Sequence, residues 1–414
     1  MDDDLIDDDR LSLSRKSRLP GTGFFYPDSL DEEYAERRAR EAVDGAAAVV
    51  VADTDADGLT CVALVREALD ASVAAADFEA SMAARLTDDA DARAAAETED
   101  ETREASPVAL VGAGPYSLGR ALERVAEYAD PGADVYVCDL CPDEFGDVAE
   151  GLPPVVERAG SVRWFDHHQW DDAVADHVRE AGVDLVVGAS DEECSADVAL
   201  RELDADFPDR LRDLAAVTRD HDLWIKDDPR SDDLADYARW ADNEEYVAVV
   251  AEYGPDLPAD AMEYVAERRV EKERLVERAV DRATTHEVGP WTVATTYGRC
   301  SQNEVAEALR ERGADAAVVV KPAGSASIRG SDGFERAHEV AALVEGGGHP
   351  KAAGCKPDIY DDMLDYASHW TTEGAAARRV ILAAFERIAE RAGDDDVDVV
   401  GGDGDGDGDD DETA

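Results

Sequence analysis

Short apolar runs alternate with segments of helical periodicity through the first half of the chain. Five of these runs have the length of buried strands, and they span residues 46–52, 108–111, 134–138, 161–165 and 183–188. Helical patterns lie between several of them, for example at residues 59–71 and from about Ser195 onwards. Because strands that alternate with helices build parallel sheets, the pattern predicts an α/β fold with a doubly wound, mostly parallel sheet.

The same pattern predicts two α/β domains. The first domain is predicted over residues 31–250 and a smaller second one over residues 290–392. A long charged helical pattern within residues 251–289 predicts a connector helix between them. The strands predicted for the second domain lie near residues 292–296, 316–320 and 326–329.

The composition is strongly acidic. Of 414 residues, 99 are Asp or Glu and 41 are Lys or Arg, which gives a formal net charge of −58, while 44% are hydrophobic. Such a bias is typical of cytosolic proteins from halophiles that accumulate molar salt, where charges are screened within about 3 Å. Acidic low-complexity sequence predicts a lead-in at residues 1–30, a solvated insertion at 84–106 and a disordered tail at 393–414.

The sequence lacks the patterns of membrane and secreted proteins. No stretch approaches the roughly 18 consecutive apolar residues that a membrane helix needs. The segment MDDDLIDDDR at the start contains no apolar core of a signal peptide, and six irregularly spaced cysteines are not a disulfide framework. We therefore expect a cytoplasmic protein without a membrane partner.

Carboxylates follow two of the predicted strands at the point where each strand ends. Asp53, Asp55 and Asp57 come directly after the first strand, and Gly58 allows a sharp turn into the next helix. Asp139 follows the third strand. Carboxylates this close repel one another unless a cation neutralises them, and ligands bind at the carboxyl ends of parallel strands. The pattern therefore predicts a metal site at this edge of the sheet.

Two adjacent histidines strengthen that prediction. Asp166, His167 and His168 stand at the end of the fourth strand, and Asp220 and Asp222 end an apolar helical pattern. Neutral imidazoles are metal ligands, and a neighbouring carboxylate fixes their tautomers. Mixed Asp and His ligands suit two divalent cations, Mn²⁺ in the first place and Mg²⁺ as the alternative, rather than a structural zinc. Two such ions favour phosphoester hydrolysis.

These motifs resemble those of the DHH phosphoesterases, most closely the RecJ-like exonuclease branch with a DHHA1 domain. The motifs of the first domain are DTDADG at residues 53–58, Asp139, the DHH triplet at 166–168 and an aspartate near residue 220. The segment GGGHPKAAG, residues 346–354, resembles the DHHA1 motif. The resemblance covers roughly residues 45–230 and 290–356, and its two motifs occur in the expected order.

The resemblance implies two cation sites that share one carboxylate. The implied ligands are Asp53 and Asp55 at one cation, Asp57, His167 and Asp220 at the other, and Asp139 at both. His168 is implied to face the scissile phosphate, and Asp166 to orient the neighbouring histidines. Asp222 flanks His221 on the other side from Asp220, so either carboxylate could be the fourth-motif ligand, and Asp220 is preferred.

The glycine-rich segment predicts a substrate site in the second domain. Backbone amides of consecutive glycines can approach an anionic group closely and form a nest for a phosphate. The loop is predicted to lead into a short helix, whose N-terminus also favours anions. The predicted substrate-binding residues are Gly346, Gly347, Gly348, His349, Lys351 and Arg329. Trp170 and Trp224 are further candidates for stacking on bases.

These observations favour an exonuclease that releases nucleotides from the ends of single-stranded DNA or RNA. A small-substrate enzyme acting on short oligoribonucleotides, cyclic dinucleotides or nucleotide bisphosphates is the first alternative, favoured by the compact two-domain size. A non-catalytic scaffold for replication proteins is the second, although every ligand position holds a competent residue. Replication or repair proteins are also candidate partners of an active enzyme.

Overall fold

The computed structural model describes residues 28–86, 106–359 and 363–400. The chain divides into two compact units, Met1–Ala266 and Glu267–Ala414. Residues 1–27 of the predicted lead-in, 87–105 of the predicted insertion and 401–414 of the predicted tail lie outside the described residues. Within the described part of the chain, no helix is long and apolar enough to cross a membrane.

The first unit contains a parallel five-stranded sheet. Its strands are β1 (Ala48–Ala52), β2 (Val108–Gly112), β3 (Asp134–Cys138), β4 (Val162–Asp166) and β5 (Asp184–Val187). The strand order is β2-β1-β3-β4-β5, and every neighbouring pair is parallel. Each strand coincides with a predicted apolar run, so the prediction of a doubly wound parallel sheet is confirmed.

Helices cover both faces of this sheet. In chain order they are α1 (Asp28–Val43), α2 (Ala56–Ala68), α3 (Glu79–Arg85), α4 (Leu118–Tyr128), α5 (Leu152–Arg158), α6 (Asp172–Glu180), α7 (Ser195–Glu202), α8 (Asp209–Asp222), α9 (Arg230–Trp240), α10 (Asn243–Tyr253) and α11 (Ala259–Asp281). Apolar residues of α2 and α7 to α10 form one core cluster, and those of α1 and α4 to α6 form another. The boundary between the two units falls within α11.

The central strand β1 shows why the sheet is buried on both faces. Val50 belongs to the core cluster on one face, whereas Val49 and Val51 belong to the cluster on the other. All five of its residues are buried. Burial of each valine contributes roughly 1.5–3 kcal/mol. This packing holds the carboxyl end of β1 in a fixed position, and Asp53 follows directly.

The second unit contains a mixed six-stranded sheet. Its strands are β6 (Thr284–Val288), β7 (Trp291–Tyr297), β8 (Ala316–Val320), β9 (Ala326–Gly330), β10 (Gly346–Gly348) and β11 (Ala352–Cys355), in the order β10-β11-β9-β8-β7-β6. Only β7 and β8 pair in parallel; the other neighbours are antiparallel. The helices are α12 (Gln302–Glu311), α13 (Ala337–Ala342), α14 (Met363–Thr371) and α15 (Ala375–Val400). The second domain is therefore α/β, as predicted.

Three local predictions differ from the structure. The glycine-rich segment was expected to be a loop leading into a helix, but Gly346–Gly348 is strand β10 and forms a hairpin with β11. Strand β6 lies where the connector helix was expected to continue, because α11 ends at Asp281. Helix α15 continues to Val400, beyond the residue at which the disordered tail was expected to begin.

Candidate metal centre

The candidate centre lies at the carboxyl ends of β1, β3 and β4. The chain leaves β1 toward β2 on one side and returns to β3 on the other, and such a reversal of strand order opens a crevice at the strand ends. Asp53 follows β1, Asp139 follows β3, and Asp166 is the last residue of β4. Asp222 is the last residue of α8. The fold therefore brings together residues that are distant in sequence.

A tight loop joins β1 to α2. Asp55 is the N-cap of α2, and its side chain accepts hydrogen bonds from the backbone N–H groups of Asp57 and Gly58 at 2.9 and 3.1 Å. Oδ1 of Asp53 accepts from the backbone N–H of Thr54 at 2.6 Å. A Cβ atom on Gly58 would lie 2.3 Å from the carbonyl oxygen of Asp53, so only glycine fits at this position.

Asp57 is buried and fixed by the start of α7. Its Oδ2 accepts from the backbone N–H of Ser195 at 2.7 Å, and its Oδ1 from that of Ala196 at 2.8 Å. Burial raises the pKa of Asp57, although the neighbouring His167 acts in the opposite direction. The helix N-terminus holds this carboxylate in one orientation.

Asp139 is buried and has an unusual backbone conformation. Its φ of 58° lies in the left-handed region, which Asp adopts more readily than most residues. Its backbone N–H donates to the carbonyl of Phe165 at 3.0 Å, and its Oδ1 accepts from Oγ of Ser195 at 3.0 Å. Burial and the nearby charge of Asp57 raise the pKa of Asp139 well above its ordinary value.

Two groups of side chains converge closely enough to hold a metal ion. One group is Asp57, His167 and Asp222, and the other is Asp139, His167 and His168. Nε2 of His167 lies 3.2 Å from Oδ2 of Asp222 and 3.7 Å from Oδ1 of Asp139. Within each group, the candidate ligand atoms lie within 4.8 Å of one another. His167 belongs to both groups, so the two groups overlap at this residue.

Two buried polar atoms in these groups lack hydrogen bonds. Among the described residues, neither Nδ1 of His167 nor Oδ2 of Asp222 has a hydrogen-bond partner. Burial and the charge of Asp57 raise the pKa of Asp222 to about 8, and burial and the charge of Asp55 raise that of Asp53 to about 7. Unpaired buried carboxylates are costly unless a cation neutralises them. These residues therefore fit a divalent cation that prefers oxygen and imidazole ligands.

A separate network links Asp166 to His168 and Trp170. Oδ1 of Asp166 lies 2.8 Å from Nδ1 of His168, and Oδ2 accepts from Nε1 of Trp170 at 2.6 Å. Burial alone would raise the pKa of Asp166, but these hydrogen bonds and the charge of His168 lower it. Burial disfavours the charged imidazole, yet the hydrogen bond and charge of Asp166 raise the pKa of His168 to about 9. Asp166 therefore favours the charged form of His168.

The structure brings Asp222, and not Asp220, to His167. Asp220 is buried and accepts from the backbone N–H groups of Asp227 and Asp228 at 2.9 and 3.2 Å. Its carboxylate therefore closes the turn that follows α8, and the group of converging ligand atoms contains Asp222, the alternative to the preferred Asp220. Asp53 and Asp55 belong to neither group of converging ligand atoms.

The predicted substrate-binding residues lie in the second unit. Nε of Arg329 donates to Asn303 at 3.0 Å, and Nη1 donates to the carbonyls of Ile328 and Ala353 at 3.2 Å. Burial and the neighbouring Arg310 lower the pKa of Arg329. The guanidinium of Arg329 is thus held against the sheet by several partners.

The hairpin turn between β10 and β11 carries the other predicted residues. The backbone N–H of His349 donates to the carbonyl of Ala352 at 2.7 Å. Nζ of Lys351 lies 2.8 Å from Asp332 and 3.1 Å from Glu335. A Cβ atom on Gly347 would meet no atom within 4 Å, so this glycine borders open space.

Sequence reasoning missed the part played by Ser195. The sequence predicted that a helix begins near this residue, but it did not predict a contact between the serine and the carboxylates. Its side chain is buried against Asp139, and its backbone binds Asp57. A serine that opens a helix normally caps that helix, and only the assembled fold shows that it contacts the carboxylates instead.

No protein-family model and no curated protein matches the sequence. Several solved structures are similar to it. Exonuclease RecJ bound to manganese is 17% identical, with 87% of this chain and 96% of that chain covered and a TM-score of 0.47. RecJ from Thermus thermophilus in complex with Mn²⁺ is 17% identical, with 92% and 57% covered and a TM-score of 0.49. The DHH domain of a member of a family of ribosomal proteins is 14% identical, with 87% and 96% covered and a TM-score of 0.48. The chain is thus similar to RecJ exonucleases and DHH-domain proteins.

Proposed function

We propose that the protein is a phosphodiesterase that depends on two divalent cations, and that it acts as an exonuclease on single-stranded nucleic acid. One observation carries this proposal. Asp57, Asp139, His167 and Asp222 converge from separate segments of the chain, and Nε2 of His167 faces Oδ2 of Asp222, a buried oxygen that has no hydrogen-bond partner among the described residues. Buried polar atoms of a purely structural cluster are usually paired.

The chain offers ligands for two adjoining cations. Asp57, His167 and Asp222 would hold one of them, with Asp57 already oriented by α7. Asp139 would be shared with the second cation, to which Asp53 and Asp55 would contribute. Bound Mn²⁺ or Mg²⁺ would supply an activated water and neutralise charge on the phosphate.

His168 is the residue proposed to contact the scissile phosphate. Its Nδ1 is bonded to Asp166, which leaves Nε2 to donate a hydrogen bond to a phosphate oxygen. The charge that Asp166 maintains on this imidazole would strengthen that bond as negative charge develops in the transition state. Trp170 supports the arrangement because it binds the second oxygen of Asp166.

The second unit is proposed to grip the end of the nucleic acid. Strand β10 lies at the edge of its sheet, so part of its backbone is unpaired, and Gly347 borders open space. Amides of such a strand can bind a phosphate. Lys351, in the adjacent turn, would add a positive charge near it. We further propose that the protein works in the cytoplasm, where replication or repair proteins are candidate partners.

Digestion of end-labelled oligonucleotides tests the function. Single-stranded DNA and RNA substrates would range from dinucleotides to about thirty nucleotides, and so extend from below to above the roughly 4–16 nucleotides of a common single-strand site. With Mn²⁺ in molar KCl, we expect progressive loss of nucleotides from one end of long strands. Cleavage confined to the shortest species would replace the exonuclease with a small-substrate phosphodiesterase. No cleavage of any substrate would contradict an enzymatic role.

Two variants on either side of β3 provide the control. Asp139→Asn removes a charge from the proposed centre and is expected to abolish cleavage. Asp134→Asn removes a charge at the opposite end of the same strand, where Asp134 accepts a hydrogen bond from Ser161 at 2.7 Å. This second variant is expected to retain cleavage. Equal loss in both variants would indicate a general effect of charge on the sheet.

A further inference from the structure

Ser195 contacts three carboxylates of the candidate centre. It is the first residue of α7, and its side chain is fully buried. Its Oγ lies 3.0 Å from Oδ1 of Asp139 and 3.5 Å from Oδ1 of Asp166, and its backbone N–H donates to Oδ2 of Asp57 at 2.7 Å. Asp57 lies in the first turn of α2, Asp139 follows β3 and Asp166 ends β4, so one residue at the start of α7 connects three separate elements.

The side chain and the backbone of Ser195 have separate partners. A hydroxyl has one proton to donate, and the shorter distance assigns it to Asp139 rather than to Asp166. The backbone contact with Asp57 does not depend on the side chain, and Ala196 adds a second backbone bond to the same carboxylate. Removal of the hydroxyl therefore separates the effect on Asp139 from that on Asp57.

Asp139 needs such a partner more than Asp57 does. Both oxygens of Asp57 accept backbone hydrogen bonds, which fix its plane. Asp139 stands on a backbone with positive φ directly after β3, and the hydroxyl of Ser195 binds one of its oxygens. A carboxylate rotates easily about its last side-chain bond, so this hydrogen bond determines which oxygen lies toward a cation. Partners of this kind commonly set metal affinity.

We propose that Ser195 is a positioning residue, whose hydroxyl orients the carboxylate of Asp139 for cation binding. The inference rests on the proposed metal centre, but not on the identity of the substrate. In this role the hydroxyl is not itself a ligand and acts only through Asp139. Ser195 thereby ties the start of α7 to the shared ligand, while its backbone ties the same helix to Asp57.

Calorimetric titration of the full-length chain with Mn²⁺ in molar KCl tests this role. Wild-type protein is expected to bind two ions, and Asp139→Asn identifies the binding step that depends more strongly on Asp139. Ser195→Ala is expected to weaken that same step by about 10–100-fold, the usual effect of removing a partner of a metal ligand. The other step should change less, because Asp57, His167 and Asp222 remain in place. Unchanged affinity at both steps in Ser195→Ala would overturn the proposal.

A matched variant separates positioning from general loss of a buried hydroxyl. Thr60 is also fully buried, and its hydroxyl lies 3.3 Å from that of Thr218. Thr60→Val is expected to lower the melting temperature of the metal-free protein while leaving both Mn²⁺ steps intact. Equal weakening of Mn²⁺ binding in Thr60→Val and Ser195→Ala would contradict a specific role for Ser195.

A conservative variant tests the proposal if the Ser195→Ala protein does not fold. Ser195→Thr keeps the hydroxyl and is expected to retain wild-type Mn²⁺ affinity at both steps. A folded Ser195→Thr protein that keeps the Mn²⁺-binding step dependent on Asp139 would support the proposal. A folded Ser195→Thr protein that no longer shows this step would overturn it.

The same titration distinguishes the two proposals. If wild-type protein binds no Mn²⁺, the metal centre itself is wrong, and the role of Ser195 fails with it. If wild-type protein binds two ions but cleaves no oligonucleotide, the exonuclease proposal fails while the effect of Ser195→Ala on affinity still decides the role of the hydroxyl. The electron paramagnetic resonance spectrum of the two-Mn²⁺ protein adds a readout without substrate. Ser195→Ala is expected to weaken the coupling between the two ions.

Discussion

Nε2 of His167 lies 3.2 Å from Oδ2 of Asp222, yet that carboxylate oxygen has no hydrogen-bond partner among the described residues. The two atoms come from different elements, one after β4 and one at the end of α8. Both point to a common position that also adjoins Asp57. A cation at this position would be bound by both atoms.

This relationship predicts opposite behaviour for the two aspartates at the end of α8. Asp222→Asn should lower Mn²⁺ affinity by at least about 100-fold, because it removes a ligand rather than a supporting group. Asp220→Asn should keep the affinity but cost roughly 1–3 kcal/mol of stability, because the amide NH₂ cannot accept from the N–H groups of Asp227 and Asp228. Titration calorimetry and thermal melts measure the two effects. A loss of Mn²⁺ binding in Asp220→Asn alone would reverse the assignment.

The pH dependence of stability should differ between the metal-free and the metal-loaded protein. The pKa of Asp53 is raised to about 7 and that of Asp222 to about 8, from an ordinary value of 3.8. Raised values mean that the folded protein favours the protonated carboxyls. Their contribution is therefore full below about pH 4 and is lost as the pH rises through 7 and 8.

A bound cation requires both carboxylates in the charged form. The melting temperature with Mn²⁺ minus that with EDTA should consequently increase from about pH 5 to about pH 8, and the apparent Mn²⁺ affinity should rise up to about tenfold per pH unit for each proton displaced. Asp222→Asn should flatten the increase. A temperature difference that is constant across this range would contradict the raised pKa values.

Gly58 should be required for the loop that carries the three aspartates. A Cβ atom at this position would lie 2.3 Å from the carbonyl oxygen and 2.9 Å from the backbone nitrogen of Asp53. Gly58→Ala is expected to cost roughly 1–3 kcal/mol of stability and to displace Asp53, because the backbone must move. Gly114→Ala is the control, since a Cβ there meets no atom within 4 Å. Equal melting temperatures for the two variants would show that the loop adapts.

Substitutions of two glycines in β10 should have different effects, one on the stability of the hairpin and the other on substrate binding. A Cβ atom on Gly346 would lie 2.1 Å from the carbonyl oxygen of Gly354, whereas one on Gly347 meets open space. Gly346→Ala should therefore destabilise the hairpin. Gly347→Val should leave the melting temperature unchanged and raise KM for long single strands without lowering kcat. If Gly347→Val has wild-type KM, this part of the strand does not contact the substrate.

The sequence predicted the five strands of the first sheet because each is a short, mostly apolar run. In β1, consecutive valines fill the core on alternate sides of the sheet, so no polar residue interrupts the run. The acidic and histidine residues at the strand ends were recognisable for the same reason. A charged residue directly after a buried strand is costly to bury unless it has a partner, whereas a charge on the surface is solvated by water.

The choice between Asp220 and Asp222 depends on how α8 packs. Both residues follow the same apolar helix, but they lie about 200° apart around it because each residue turns about 100°. Thr218, four residues before Asp222, is buried, and this spacing places Asp222 on the inward side. Asp220 is buried as well, because the turn that follows the helix binds its carboxylate. No apolar pattern in the sequence predicts that turn.

The β10–β11 hairpin could not be predicted from side-chain alternation. Its first strand consists of Gly346, Gly347 and Gly348, which provide no polar or apolar pattern. Its identity as a strand comes only from pairing with β11, in which Ala353 and Cys355 are buried. Consecutive glycines ordinarily predict a turn, and here tertiary pairing decides otherwise.

The candidate ligands are dispersed along the chain, from Asp53 to Asp222, and helix α7 must dock before Asp57 is held. No contiguous fragment shorter than this span contains the whole set. A nascent chain on the ribosome would therefore have no complete metal centre until residue 222 has emerged and the first unit has folded. A proteolytic cut within the span would likewise separate the ligands. The protein is proposed to degrade nucleic acid. Because its centre would form only when the domain is complete, an unfinished chain would not need an inhibitor to prevent cleavage.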